Sequence, residues 1–278
     1  MNKKLILITG ATAGIGEVAA HALAAQGHEL IIVGRNPQKA EQVAKTIRAR
    51  SSNKNVQFLL ADFSDLDQIR QLAEQVKTKF PKLDVLVNNA GTYFGKRQKT
   101  KYGAEKTFVV NHLSPFLLTN LLLGHLQENA RIINVSSNSH YKGRLDLDDL
   151  YLSKFYFGLT AYQRSKLANV LFTYELARRL AGTTIIANAL HPGLIATDIF
   201  QRNYGILGPF IKRIISRFAI TPEEGADNTV FLATSTDVEG VTSKYFVKRN
   251  AVTSAPLSYD EALAKQLWEV SERLTQIS

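Results

Sequence analysis

The chain has 278 residues, of which 45% are hydrophobic and 21% are charged, and it contains no Cys. This is an ordinary globular composition, and the lack of Cys excludes disulfides, thiolate metal sites and a Cys nucleophile. Basic residues spread along the chain give a net charge of +10, which favours a solvated basic exterior over an anionic ligand or membrane surface, with nucleic-acid binding ranked last.

The N-terminal apolar run, Leu5–Ile8, is too short for a signal-peptide core or a membrane span. No stretch elsewhere reaches the length of about 18 apolar residues that a spanning helix needs. The six His are scattered, with no His-x-x-x-His pair. We therefore expect a soluble, cytoplasmic protein without a metal site or a membrane span.

The first predicted strand, Lys4–Thr9, ends in a glycine-rich turn, Gly10–Gly16, and a helix follows over Glu17–Ala25. Glycines at such a turn let a pyrophosphate approach the backbone, where the helix N-terminus supplies N–H groups and partial positive charge. The spacing is Gly-x-x-x-Gly-x-Gly rather than Gly-x-Gly-x-x-Gly. In its strand–helix context the turn predicts a dinucleotide site, and a plain tight turn is the alternative.

The second predicted strand, Glu29–Val33, is followed by Gly34, Arg35 and Asn36. An acidic residue about 20 residues after the glycine turn would bind the adenosine ribose of NAD. Arg35 stands there instead, and a cation suits the 2′-phosphate of NADP. We therefore predict NADP(H) as the cofactor, the alternative being an Arg on an ordinary loop.

Short strands and longer helices continue to alternate along the chain. The third strand, Val56–Ala61, ends at Asp62, which is expected either at the adenine edge or as a cap or turn residue. The fourth, Leu83–Val87, runs into Asn88–Gly91, at the strand end where open α/β sheets bind ligands. This alternation predicts an α/β fold with a doubly wound (Rossmann) parallel sheet of about seven strands, in a single domain over 1–278.

Polar residues suited to catalysis come next. Asn111 lies in a long predicted helix, Thr100–Leu123, which we expect to break near Pro115. Because Asn is mildly unfavourable inside a helix, a buried polar role is considered for it. The fifth predicted strand ends in Ser136 and Ser137.

Tyr162 and Lys166 lie four residues apart in a predicted helix, so their side chains share one face. A cation beside a phenol favours the phenolate and lowers a pKa that is ordinarily about 10. One unit charge about 4–5 Å away supplies roughly 4 kcal/mol, enough to bring that pKa near 7. The pair therefore predicts an acid/base group, although the same spacing occurs where a Tyr packs on a Lys stem.

The sixth predicted strand, Thr184–Leu190, ends in His191, Pro192 and Gly193. Gly205–Phe218 beyond it predicts a basic amphipathic helix with Phe and Ile on one face. Three roles stay open for this helix: a substrate lid within about 194–220, a core-packed helix, or an interfacial anchor that gives weak peripheral membrane association. A short strand and a C-terminal helix follow.

Taken together, these motifs resemble the short-chain dehydrogenase/reductase family. The matching elements, in the family's order, are Thr9–Gly16, Asn88–Gly91, Asn111, Asn134–Ser137, Tyr162 with Lys166, and Pro192–Gly193. Further stretches resemble the retinol dehydrogenase-like subgroup: Ala161–Asn169, Glu175–Leu180, and Leu267–Trp268 with Ser271. The resemblance implies an oxidoreductase that transfers a hydride between NADP(H) and the carbonyl or alcohol carbon of an apolar aldehyde, ketone or retinoid-like substrate.

The same resemblance implies the residues of the site. Tyr162 would donate a proton during reduction, Lys166 would lower its pKa, Ser137 (or else Ser136) would bind the substrate oxygen, and Asn111 would orient a water. The cofactor would lie along the carboxyl edge of the sheet. Its implied contacts are Gly10, Thr12, Gly14, Ile15, Gly16, Arg35, Asn36, Asp62, Phe63, Asn89, Ala90, Gly91, Tyr162, Lys166, Pro192, Gly193, Ile195 and Thr197.

Three further expectations complete the prediction. His140 and Tyr141 are candidates to shape the pocket, although a His on a polar loop is more often exposed. A non-catalytic NADP-binding sensor or scaffold on the same fold is the alternative function, and the complete set of proton-path residues argues against it. Members of the family are often dimers or tetramers, so a homo-oligomer is compatible with the resemblance.

Overall fold

A computed structural model of the chain describes residues 3–193 and 220–277. Within these residues the strands form one eight-stranded sheet in the order β3-β2-β1-β4-β5-β6-β7-β8. Neighbouring strands pair in parallel, apart from β7 and β8, which are antiparallel. The strands are β1 (Leu5–Thr9), β2 (Glu29–Gly34), β3 (Val56–Leu60), β4 (Leu83–Asn88), β5 (Leu126–Val135), β6 (Ile186–His191), β7 (Tyr245–Val247) and β8 (Asn250–Val252).

Helices cover both faces of this sheet. Among the described residues they are α1 (Gly14–Ala25), α2 (Pro37–Ser51), α3 (Leu66–Lys79), α4 (Lys106–Phe108), α5 (Ser114–Leu122), α6 (Gly158–Arg179), α7 (Pro222–Thr234) and α8 (Glu261–Thr275). A π-helical turn, Val109–Leu113, joins α4 to α5.

The central strands are apolar along their whole length because each of their faces is covered. In β1, Leu5 and Leu7 pack into the core beneath α3, α5 and α6. Ile6 and Ile8 point the other way, into the core beneath α1 and α2. Continuous burial of this kind is typical of parallel sheets with helices on both sides, and the predicted doubly wound α/β fold is confirmed.

Two local predictions were wrong. The sheet has an eighth strand, β8, because the chain reverses after β7 through Lys248 and Arg249, both with positive φ. The helix expected from Thr100 begins only at Lys106. The irregularity expected near Pro115 is the π-helical turn just before it, since Pro has no N–H for the usual bond to the carbonyl of Asn111.

Among the described residues, Lys106–His125 is the one helical segment whose length and apolar composition would suffice to cross a membrane. However, 78% of its most apolar window is buried inside the protein. Its apolar surface therefore belongs to the core. The predicted helix at 205–218, nearly all of the lid region, Ile195 and Thr197 lie outside the described residues.

Candidate active site

The strand order reverses between β1 and β4, and the loops that follow these two strands meet there. The hydroxyl of Thr9, at the end of β1, accepts hydrogen bonds from the backbone N–H groups of Asn89 (3.0 Å) and Ala90 (2.9 Å). In return, the amide of Asn89 donates to the carbonyls of Thr9 (2.8 Å) and Gly10 (3.2 Å). Asn89 therefore braces the glycine turn at the switch point where doubly wound sheets bind ligands.

Two glycines in the turn have no room for a side chain. Gly10 has a φ of +67°, and a Cβ there would lie 2.8 Å from Cα of Ala90. A Cβ on Gly16 would lie 2.3 Å from Nδ2 of Asn89 and 2.6 Å from the carbonyl oxygen of Gly10. The glycine turn thus packs closely against the loop after β4, and Gly10 and Gly16 place no side chain of their own over the turn backbone.

The start of α1 has no capping side chain. Its N-cap residue is Ala13, which has no hydroxyl or carboxylate to accept from the first-turn N–H groups. Ala13 and Gly14 are both exposed, and Ile15 is partly exposed. Uncapped N–H groups at a helix N-terminus beside bare backbone suit an anionic group such as a pyrophosphate, so these residues fit a dinucleotide.

Arg35 follows β2 directly and is exposed. Within residues 3–193 and 220–277 it forms no ion pair. Its neighbour Asn36 caps α2 by accepting from the N–H of Lys39 at 2.8 Å. Thr12 lies against Gly34, where a Cβ would be 2.4 Å from its methyl carbon. The cation therefore stands beside the glycine turn, while the side chain of Asn36 is engaged in the protein.

Asp62 and Phe63 follow β3, and the structure shows the partners of both. One carboxylate oxygen of Asp62 accepts from both the N–H and the hydroxyl of Ser64, each at 2.8 Å. This is the turn role, one of the two alternatives for Asp62. Phe63 is 6% exposed within the main core, and its carbonyl accepts from the hydroxyl of Ser114 at 2.6 Å. Its side chain is therefore part of the core.

Tyr162 and Lys166 lie on α6 behind the end of β5, and both are buried. The phenol of Tyr162 makes a hydrogen bond with the side chain of Ser137. The ammonium of Lys166 donates to the carbonyl of Val135 at 3.0 Å and lies 5.5 Å from the ring centroid of Tyr162. Ser136 is engaged elsewhere, because its hydroxyl donates to the carbonyl of Lys166 at 2.7 Å. Ser137 is therefore the Ser that accompanies the phenol.

The predicted lowering of the Tyr162 pKa was wrong. Burial raises the pKa of Tyr162 to about 12, and the hydrogen bond from Ser137 only partly opposes it. Burial also lowers the pKa of Lys166 to about 8. Desolvation dominates both groups because each sits in the protein interior. At pH 7 Tyr162 is therefore a neutral phenol, the form that donates a proton, beside a mostly protonated Lys166.

Asn111 is fully buried in the π-helical turn. Its carbonyl oxygen Oδ1 accepts from the N–H of Thr92 at 2.7 Å, and its Nδ2 donates to the carbonyl of Thr92 (3.0 Å) and the hydroxyl of Ser165 (2.9 Å). Its side chain thus fastens the loop after β4 to α6. A Cβ on Gly91 would lie 3.6 Å from both Oδ1 of Asn111 and Nζ of Lys166, so the three residues meet.

Two His support the loop that carries Ser137. His140 is fully buried: Nδ1 lies 2.7 Å from the carbonyl oxygen of Ser137, and Nε2 accepts from the N–H of Ala255 at 2.9 Å. Nδ1 of His191 accepts from the N–H of Asn138 at 3.3 Å. Burial lowers the pKa of both, that of His191 to about 4. His140 is therefore a neutral internal brace, not an exposed loop residue.

The chain leaves β6 through Pro192 and Gly193. Gly193 has a φ of +100°, and a Cβ there would lie 2.1 Å from Cδ1 of Ile220. Only Gly fits this position without displacing Ile220. Pro192 and Gly193 thus follow β6 on the same carboxyl edge as Gly10 and Ser137.

Comparisons with known proteins agree with this architecture. The family model described as short chain dehydrogenase matches residues 4–204. Human polyprenol dehydrogenase is 38% identical over 99% of this chain and 86% of its own length. Mouse retinol dehydrogenase 14 is 38% identical over 100% of this chain and 87% of its own length.

Solved structures show the same fold. An uncharacterised protein from Mycobacterium paratuberculosis, 33% identical, superposes with a TM-score of 0.79 over 98% of this chain and 93% of its own. A blue fluorescent protein from a metagenomic library, solved in complex with NADPH and 28% identical, gives a TM-score of 0.71 over 88% of this chain and 96% of its own. The chain therefore belongs to the short-chain dehydrogenase family of oxidoreductases and resembles its retinol dehydrogenases along its whole length.

Proposed function

We propose that the protein is an NADP(H)-dependent oxidoreductase that reduces the carbonyl group of an apolar aldehyde or ketone. The observation that carries this proposal is the hydrogen-bonded pair of Tyr162 and Ser137, with Lys166 behind it, on the edge that holds the glycine turn. The nicotinamide supplies the hydride when it is bound. The protein supplies the proton and the orientation.

Each catalytic side chain has a part that its surroundings support. Tyr162, a neutral phenol at pH 7, donates its proton to the oxygen of the carbonyl group as that oxygen gains charge. The hydroxyl of Ser137 donates a hydrogen bond to the same oxygen and stabilises the charge. Lys166 stabilises the phenolate that remains, because its ammonium is the cation on the same helix face.

NADP(H) is proposed over NAD(H) because Arg35 is an exposed cation where an acidic residue would bind the ribose of NAD. The related blue fluorescent protein solved with NADPH supports the same choice.

Replacing Arg35 with Asp is expected to lower kcat/KM for NADPH by about 10-fold or more, the size of one lost charge-assisted hydrogen bond, and to leave NADH less affected. Steady-state rates with both cofactors measure this ratio. Lys45→Asp, the same charge change at an exposed position of α2, is the control. An unchanged NADPH-to-NADH ratio in Arg35→Asp would remove Arg35 from the site.

An apolar substrate is proposed from the surface next to the site. Phe155 and Phe157, just before α6, are 79% and 69% exposed, and Leu159 in its first turn is 50% exposed. Exposed apolar side chains grouped near an active site suit an apolar ligand, or weak contact of a cytoplasmic protein with a membrane surface. Relatives named for polyprenol and retinol support the same class.

Oxidation of NADPH over a panel of retinal, quinones and simple aldehydes tests the substrate class. The expected result is turnover of the apolar members with a lower KM than that of the simple aldehydes. Binding of NADPH without turnover of any carbonyl would contradict the proposed oxidoreductase activity and favour a non-catalytic sensor or scaffold instead.

A further inference from the structure

A buried hydrogen-bond chain begins at the C-terminal helix, far along the sequence from the catalytic motifs. Oγ of Ser271, in α8, lies 2.9 Å from Nε2 of His112 in the π-helical turn. Both residues are fully buried. Burial also lowers the pKa of His112 to about 3, so the imidazole is neutral at any ordinary pH. His112 directly follows Asn111, and the π-helical turn places these two neighbours against different partners.

The chain continues from His112 to Asn169 on α6. The imidazole faces the amide of Asn169, which raises the pKa of His112, although burial outweighs this effect. This contact is looser than an ordinary hydrogen bond: among the described residues, neither Nδ1 of His112 nor Oδ1 of Asn169 has a partner of ordinary geometry. A proton on Nδ1 gives both atoms a partner. The Ser271 hydroxyl, which also has the carbonyl of Leu267 within reach at 2.7 Å, then turns its one proton to Nε2 of His112.

The last link reaches Lys166. Nδ2 of Asn169 donates to the carbonyl of Val135 at 3.4 Å. The same carbonyl accepts from the ammonium of Lys166 at 3.0 Å. Asn169 lies three residues after Lys166 and seven after Tyr162, so all three project from one face of α6.

We infer that Ser271, His112 and Asn169 are positioning residues that hold the carbonyl of Val135, and through it the ammonium of Lys166, in place. This inference rests on the proposed function, since it assigns the three residues to the same site. It makes α8 part of the catalytic apparatus although α8 contributes no side chain to the reacting groups.

Few charges compete with this chain at Lys166. Tyr162 faces the ammonium from the same helix, and His191 faces it from the end of β6. Among the described residues no carboxylate acts on Lys166. A carboxylate introduced at position 169 would therefore be a new and dominant partner for the ammonium.

Two substitutions and a matched control test the inference. Asn169→Asp keeps the side-chain shape and adds the carboxylate, which favours protonated Lys166. Ser271→Ala removes the hydroxyl that meets His112. Thr275→Val is the control, because the Thr275 hydroxyl is also buried in α8 and bonds within the helix, to the carbonyl of Ser271 at 2.6 Å, without touching His112.

The measurements are the pH profile of kcat/KM, the Kd for NADPH and the thermal midpoint. In the native enzyme kcat/KM is expected to fall above about pH 8 as Lys166 loses its proton. Asn169→Asp should move this fall upward by about one pH unit or more. Ser271→Ala should lower kcat by about 2- to 10-fold, as expected for one hydrogen bond, with little change in the substrate KM. Thr275→Val should have the kcat and the substrate KM of the native enzyme.

The inference is overturned if a folded Asn169→Asp keeps the native alkaline fall, or if Thr275→Val and Ser271→Ala lower kcat equally. If the native protein reduces no carbonyl, the proposed function is wrong, but the inference can still be tested. The test is then the Kd for NADPH of the variants. Lys166 is an expected cofactor contact, so Ser271→Ala should weaken NADPH binding by about 2- to 10-fold and Thr275→Val should not. Equal NADPH affinities of the Ser271→Ala and Thr275→Val variants would overturn the inference.

Discussion

Replacing Tyr162 with Phe is expected to lower kcat for carbonyl reduction by about 10²- to 10⁴-fold, the usual contribution of a positioned general acid. The substitution removes only the hydroxyl that meets Ser137. Phe fills the same buried space, so the fold and the glycine turn should be unaffected. Steady-state rates measure the loss, and fluorescence titration with NADPH should give a Kd within about twofold of the native value.

Tyr174→Phe is the matched control for this experiment. Tyr174 lies on the same helix, is also buried and has its hydroxyl 2.7 Å from that of Ser254 rather than beside Ser137. Its loss should cost about 1 kcal/mol of stability and leave kcat unchanged. Native turnover by the Tyr162 variant would refute the assigned mechanism, and a similar loss in both variants would indicate damage to the helix rather than to the chemistry.

Gly16→Ala is expected to weaken NADPH binding by about 5- to 150-fold, corresponding to about 1–3 kcal/mol for overpacking a close contact. The new methyl would lie 2.6 Å from the carbonyl oxygen of Gly10 and 2.3 Å from the amide of Asn89. The Asn89 side chain would have to shift, and the glycine turn that it braces would shift with it. NADPH titration and thermal unfolding measure the two consequences.

Gly124→Ala is the control for the glycine substitution. A Cβ on Gly124 meets nothing within 4 Å, and its φ is not in the left-handed region. Both the Kd and the thermal midpoint of this variant should match the native protein. If Gly16→Ala also bound NADPH with native affinity, the glycine turn would not be the cofactor cradle.

The architecture could be predicted from the sequence because buried parallel strands are continuous apolar runs. Leu5–Thr9 is apolar at every position but its last, and such a run has few alternatives when helical segments flank it. The antiparallel β8 was missed because Asn250–Val252 is short and exposed, and neither Lys248 nor Arg249 is a usual turn residue.

The residues of the site could be predicted from sequence motifs. Their pKa values and buried contacts were less predictable, because these depend on burial. The glycine turn, Tyr162 and Lys166 follow from spacing. The pKa of Tyr162 does not, because i,i+4 spacing fixes a shared helix face but not how much water reaches it. The buried partners of His140 and His112 are 115 and 159 residues away in the chain, so no local pattern indicates them.

The bare N-terminus of α1 links cofactor binding to folding. Ala13 has no side-chain group that could accept from the first-turn N–H groups, so an anion bound there completes the helix. A ligand that binds the folded state alone stabilises it by RT ln(1 + [L]/Kd), about 2.7 kcal/mol at 100 times Kd. Nicotinamide dinucleotides should therefore raise the melting temperature in the order of their affinity, and NADP⁺ should exceed NAD⁺ at equal concentration. Calorimetry can rank the cofactors before any substrate is known.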